Sequence, residues 1–388
     1  MSALPIKYNI RNVFVRKGTT FATAVSIGIT VAVFLMVMAL ARGIDLTLQS
    51  SGEPLNLIVL REGASAELVS DIDQAKFDAI RFLDGVATEN GEPLAAPEAI
   101  TLIYRPRKGQ SQGANVTIRG VGPQSNSLRS GFKVQKGRTF EPGLAEAIVS
   151  QRIADRFQAL DIGDKFKIQS SEFTVVGIFD AGGKAFESEI WVDINTLKNA
   201  TNRPSYSSIL LRVTDSAALE SVAARIADDQ RLQLKATPEL KWYDEQAGVN
   251  SGAIKGLGIF IAAIMAIGAG FAGMNTMYAA VANRTQEIGT LRVLGFGRLS
   301  ILVSFVLESV AIAVLGAALG VILALPLNFV TTGTNNFSNF SEIAFNFRVT
   351  WDLIAIALGF GAGIGLFGSL LPSIRASRFK IVDALRET

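Results

Sequence analysis

The charged residues best placed to do work in this sequence are Glu287, Arg292 and Glu308. Glu308 interrupts an otherwise uncharged run, residues 301–325, about 7 residues or roughly 10 Å of helix from its start. A carboxylate at that depth in a bilayer costs about 2.5–3.5 kcal/mol unless it is paired or wetted. It reads as a hydrogen-bonded packing element more readily than as a substrate or proton contact. Other chemistries are excluded by composition. The 388 residues include no histidine and no cysteine, which removes Cys/His zinc sites, Ser-His-Asp and cysteine catalysis, and disulfides. A Ser-Lys pair or paired carboxylates stay open. The nearest approach to a phosphate loop is Gly177-Ile178-Phe179-Asp180-Ala181-Gly182-Gly183-Lys184-Ala185. A P-loop needs lysine directly after the second glycine of its pattern and then a hydroxyl. Here Gly183 intervenes between Gly182 and Lys184 and alanine replaces the hydroxyl, so this stretch reads as a turn. No catalytic, cofactor-binding or metal-ligating residue is assigned, and the chain is expected not to be an enzyme.

The elements that must carry Glu287, Arg292 and Glu308 are apolar runs. The chain is 49% hydrophobic and 18% charged, a balance typical of membrane proteins. Residues 18–41, 256–283 and 353–374 hold no charge at all, and 301–325 holds only Glu308. Each run exceeds the roughly 20 helical residues that cross a bilayer core. The first is too long for the apolar region of a signal peptide, despite Ala39-Leu40-Ala41. The expected fold is therefore a four-helix membrane protein with a large α+β extracytoplasmic domain between helices 1 and 2. Its segments are a cytoplasmic amphipathic helix (1–17), helix 1 (18–42), the α+β domain with its stalk (43–250) and helix 2 (251–283). A polar segment (284–298), helix 3 (299–326), a loop (327–350), helix 4 (351–374) and a cytoplasmic tail (375–388) follow.

Within 43–250, β-branched and aromatic runs predict strands at 55–60, 100–104, 116–118, 166–168, 173–179, 190–192 and 209–213. Helices are predicted at 66–82, 151–160 and 216–229, and residues 238–253 read as a helical stalk running into helix 2. Small residues recur on the membrane helices: Ala262, Ala266 and Gly270; Gly316 and Gly320; Gly359 with Gly363; Gly361 with Gly365. Such stripes let backbones approach closely in lipid, within one bundle or between two copies. Asn275 is expected to hydrogen-bond between helices. The basic residues before helix 1, between helices 2 and 3, and after helix 4 fall on one side of a four-span chain, which places both termini in the cytoplasm. No basic, aromatic-studded stretch points to nucleic acid.

The polar segment reads Asn283-Arg284-Thr285-Gln286-Glu287-Ile288-Gly289-Thr290-Leu291-Arg292-Val293-Leu294-Gly295. Ile288, Leu291 and Leu294 recur at a spacing that can share one helix face. This segment resembles the coupling segment of FtsX-like, MacB-type permeases of ABC transporters, the family that also holds LolC and LolE. The ending Leu371-Pro372 … Ala384-Leu385-Arg386 is similar to that family's close, with Ile381-Val382 where Asp-Pro is frequent. The resemblance implies a permease subunit of the bacterial inner membrane, with residues 43–250 outside. A separate cytoplasmic ATPase would bind ATP and magnesium, and this chain would bind neither. Arg284, Thr285, Gln286, Glu287, Ile288, Gly289, Leu291, Arg292, Leu294 and Gly295 would couple the two chains, with Ile288, Leu291 and Leu294 against the ATPase. It further implies a second permease copy or a paralogue, contact with membrane lipid, and room for a periplasmic adaptor. The implied work is export or extraction of a hydrophobic, peptide or lipid-linked substrate. Two other readings stay open: an FtsX-like mechanotransmitter governing an outer partner such as a cell-wall hydrolase, and a membrane-anchored ligand sensor.

Overall fold

The computed structural model describes residues 17–336 and 340–379. Nearly all of the amphipathic helix expected over 1–17, and the end of the tail from 380, lie outside the described residues. These fall into two compact units, one of 17–42, 253–330 and 347–379, the other of 43–252 and 331–346.

The chain starts with α1 (Lys17–Gln49) and enters the α/β unit through β1 (Asn56–Arg61). Then come α2 (Gln74–Ile80), a small ribbon of β2 (Thr88–Glu89) and β3 (Glu92–Pro93), β4 (Ala95–Pro106), β5 (Gly113–Val121), α3 (Ser125–Leu128), β6 (Lys133–Gly137) and β7 (Glu146–Ser150). Next are α4 (Gln151–Arg156), β8 (Lys165–Ile168), β9 (Ser171–Asp180), β10 (Glu189–Asp193), α5 (Ile194–Thr201), β11 (Ser208–Arg212), α6 (Ser216–Asp228) and β12 (Leu234–Pro238). One mixed sheet runs β12-β1-β11-β4-β5-β10-β7-β9-β6, with β8 also on β9. β4 joins its two halves: Ala95 to Glu98 pair with β11, and Ala99 to Pro106 pair with β5. Successive strand side chains point to opposite faces. Leu57 and Val59, Ile190 and Val192, and Ile209 and Leu211 therefore enter one core together with Phe77, Ile153, Leu197 and Val222 of the helices. Their alternate neighbours Ile58, Leu60 and Leu210, and Ile148, Phe179 and Trp191, fill two smaller cores.

Two predicted helices are shorter than their patterns suggested. Of 66–82, only α2 is α-helical, because Ile72 is extended and bridges Tyr206 and Asp73 caps the new helix start by accepting from the Lys76 N–H. The 151–160 helix stops at Arg156, since Phe157 is buried, extended and bridged to Arg107. The phosphate-loop lookalike ends β9 in a turn. Its Ala181 and Gly183 N–H groups donate to the chain's own Glu187, at 3.0 and 2.9 Å, so a carboxylate already fills the anion-binding concavity.

After β12 the chain continues as α7 (Glu239–Ala282), α8 (Thr285–Val293), α9 (Arg298–Ala324), the hairpin β13 (Thr331–Asn335) and β14 (Glu342–Asn346), and α10 (Trp351–Ser377). The expected loop 327–350 is thus largely a β-hairpin, and it belongs to the α/β unit. Among the described residues, four helices are long and apolar enough to cross a membrane: Thr20–Gln49, Glu239–Ala282, Arg298–Phe329 and Trp351–Ser377.

The helical unit sorts the small-residue stripes. A Cβ at Gly316 or Gly320 would lie 2.4 Å from the Ala24 or Gly28 carbonyl oxygen, so α9 crosses α1 backbone to backbone. Gly361 and Gly365 receive the Ala317 and Ala313 methyls of α9, and Gly270 receives the Phe367 ring. Ala262 is buried and Ala266 partly so. Gly359 and Gly363, expected on a packing stripe, have open space instead. Gly316→Leu should therefore destabilise the detergent-solubilised chain by at least about 1–3 kcal/mol, whereas Gly359→Leu should stay within about 0.5 kcal/mol. Thermal unfolding of the two variants checks this, and the reverse order would refute the sorting.

Candidate coupling site

The polar segment folds as the short helix α8 because both its ends are fixed locally. Thr285 Oγ1 donates to the Ala282 carbonyl at 2.7 Å, which closes the turn out of α7. At the other end the Gly295 N–H reaches Arg292 O at 3.2 Å and the Phe296 N–H reaches Leu291 O at 3.1 Å. This is a Schellman ending, and Gly295 at φ +92° supplies the left-handed residue that it requires.

The helix has two unlike faces. On the inner one, Arg284 is 6% exposed and spans two acids. Its Nε lies 2.9 Å from Glu287 Oε2 and its Nη1 3.2 Å from Glu308 Oε2, with the guanidinium 5.3 Å from the Phe305 ring centroid. Glu308 is thus paired, and its partner is a residue of the polar segment. Ile288 is 1% exposed and packs with Met277, Val281, Ile301, Phe305 and Ala376. Thr285 and Gly289 are also buried, and Arg292 donates to the Ser377 carbonyl at 3.4 Å. On the outer face Gln286, Glu287, Thr290, Val293 and Leu294 are exposed, Leu294 at 70%.

This corrects the expected apolar face. Ile288 is spent inside its own unit and Leu291 is half-buried, so the three residues do not present together. Val293, which the i, i+3, i+6 reading skipped, takes their place beside Leu294. Helix pitch explains it: six residues advance 600°, or 240° around the axis, and α8 ends before Leu294. Asn275 also departs from expectation. It is exposed on α7, and the neighbouring Thr276 makes the interhelical contact, accepting from Thr23 Oγ1 at 3.4 Å. Glu308 lines a cavity of about 50 Å³ together with Thr23, Thr276 and Ser309 and with apolar residues such as Ile27 and Met277.

Comparison with known proteins bears on the whole chain. Residues 20–229 match the MacB-like periplasmic core domain, and residues 259–381 match the FtsX-like permease C-terminal domain. The uncharacterized ABC transporter permease YknZ of Bacillus subtilis (strain 168) is 24% identical, over 98% of this chain and 98% of its own. The macrolide export ATP-binding/permease protein MacB of Bdellovibrio bacteriovorus is 26% identical over 93% of this chain. That match covers 58% of MacB, so the chain spans little more than half of this relative. The crystal structure of the YknZ extracellular domain superposes with a TM-score of 0.37 at 17% identity, covering 47% of this chain and 99% of that one. With both domain families matched along its length, the chain belongs to the MacB-type, FtsX-like permeases of ABC transporters.

Proposed function

We propose that this chain is the permease subunit of an inner-membrane ABC transporter that borrows its ATP hydrolysis from a separate cytoplasmic ATPase. The observation that carries the reading is the two-faced helix α8. Its outer face offers Glu287, Val293 and Leu294 to a partner, and its inner face is tied to α9 through Arg284 and Glu308. A push on the outer face is therefore delivered to a rigid helix rather than absorbed by a loop. Four spans, both termini inside and residues 43–250 outside agree with the distribution of basic residues. The work done is a change of the outer domain that exports or extracts a hydrophobic, peptide or lipid-linked substrate. The exposed row Leu257, Phe260, Ile264, Ile267 and Phe271 on α7, extended by Asn275, supports a second permease copy, since one polar residue on such a row fixes register.

The test is co-purification of the tagged chain with its ATPase in mild detergent, with ATP hydrolysis as the readout. Replacing Val293 and Leu294 together by serine should weaken the complex by about 10- to 100-fold, the loss expected for two buried apolar contacts. Glu287→Ala should leave the complex assembled but uncouple hydrolysis from substrate movement. Full activity in both variants would dispose of the assignment. Recovery of an outer hydrolase with no transported substrate would favour the mechanotransmitter reading.

A further inference from the structure

The β13–β14 hairpin is held to the α/β unit by a charge. The Glu342 side chain is 0% exposed, between Arg107 and Arg156. Arg107 Nε donates to its Oε2 at 3.0 Å, and Arg156 at the end of α4 pairs with its Oε1. Arg152 Nη1 donates to the Ala344 carbonyl at 3.1 Å, while the Ala344 N–H donates to Ser188 Oγ at 2.8 Å. Asn115 Nδ2 donates to the Phe340 carbonyl at 3.3 Å. Ile343, Ala344 and Phe345 are buried. The facing strand leaves room for the ion pair only because residue 333 is glycine: a Cβ there would come within 2.5 Å of Glu342 Oε1 and 2.7 Å of Arg156 Nη2. Burial pulls the Arg156 pKa below its usual value, with Glu342 opposing and Arg107 adding to the fall.

We propose that this hairpin is a strap: peptide bonds join it to α9 and α10, and Glu342 fastens it into the α/β unit. Displacement of the α9–α10 pair then reaches that unit through the strap as well as through α1 and α7. The inference rests on the permease reading above. An apolar seat would tolerate sliding. A carboxylate shared by two guanidiniums does not, because moving it a few ångströms leaves a fully buried acid without its two partners. The connection is therefore stiff until it breaks.

The test uses the full chain with its ATPase in lipid nanodiscs, followed by hydrogen exchange with and without ATP. Glu342→Gln removes the charge. Gly333→Val unseats the hairpin without altering any arginine. Each should speed exchange in 341–346 by about tenfold or more, with β1 and β10 unchanged as the folding control. Each should also reduce the ATP-dependent change at 105–108 and 151–157. Cross-linking Asn115→Cys to Phe340→Cys in the Glu342→Gln background should restore that response. If the hairpin is freed while the response persists, or neither variant frees the hairpin, the strap is wrong. If the wild-type chain shows no ATP response, the permease reading falls with it.

Discussion

Arg119→Met should cost the α/β unit about 3–5 kcal/mol, the toll of stranding buried charge. Arg119 stands on β5 opposite Ile100 of β4 and Trp191 of β10, in the middle of the sheet. It is forked onto Glu189 with two 2.7 Å bonds, holds Glu98 at 2.7 Å and reaches Glu67 at 2.8 Å. Arg129 is the second cation, and it also binds Glu98. Removing Arg119 leaves three carboxylates around one guanidinium. Arg119→Lys keeps the charge but loses the fork, and should recover only part of the loss. Arg138→Met breaks the half-exposed pair with Glu146, which solvent screens, and should cost far less. Denaturant unfolding of the solubilised chain, read on tryptophan fluorescence, checks the series, because Trp191 lies in this site and donates to Glu189. A loss below that of Arg138→Met would overturn the account. The same cluster gives a sign for acid. Burial alone would raise the Glu98 pKa, but Arg129 and Arg119 outweigh it and hold it at about 2, against an ordinary 4.5. Its contribution, of order 3 kcal/mol, is whole above pH 4.5, declines as pH falls, and is gone below about pH 2. In Arg119→Met the folded Glu98 pKa rises, so this decline should be smaller and should end at higher pH.

Arg284→Met should be nearly as damaging, and for a different reason. It leaves the Glu308 carboxylate in an apolar helix at a cost of about 2.5–3.5 kcal/mol. Glu308→Gln should cost less, since Arg284 keeps Glu287 at 2.9 Å. Replacing both Arg284 and Glu308 by methionine should recover stability, because an apolar pair of similar volume can match a buried ion pair. It should not recover coupling, because the charged tie between α8 and α9 is then gone and only the apolar packing of Ile288 is left. Thermal stability and ATP-driven substrate movement, measured on the same preparations, separate the two roles. A double variant that is stable and still fully coupled would show that the Arg284–Glu308 pair only packs.

What was legible in the sequence follows from what each signal measures. Uncharged runs such as 256–283 report the helices directly, and the β-branched runs 190–192 and 209–213 report central strands. Burial of charge is not written locally. Arg284 reads as a loop cation, yet its partner lies 24 residues on, reached only after α8 turns the chain back. Arg119 draws its acids from Glu67, Glu98 and Glu189, which the sheet alone brings together. The hairpin escaped because β13 is Thr331-Thr332-Gly333-Thr334-Asn335, polar throughout, and the apolar residues of β14 are consecutive rather than alternating. Which glycine stripe meets which helix depends on the crossing of α1, α9 and α10, and no one-dimensional period carries that.

The hairpin also sets the order in which the protein can be finished during synthesis. Residues 43–252 leave the ribosome about 80 residues before Thr331, a wait of about 4–16 s at bacterial-type rates of roughly 5–20 residues per second. Throughout that interval Arg107 and Arg156 lack their shared acid, and the places of Ile343, Ala344 and Phe345 are vacant. The outer unit is therefore completed last, by residues that arrive only after α9 has been made. Synthesis of α9 thus becomes a precondition for maturation of a domain that precedes it in the chain.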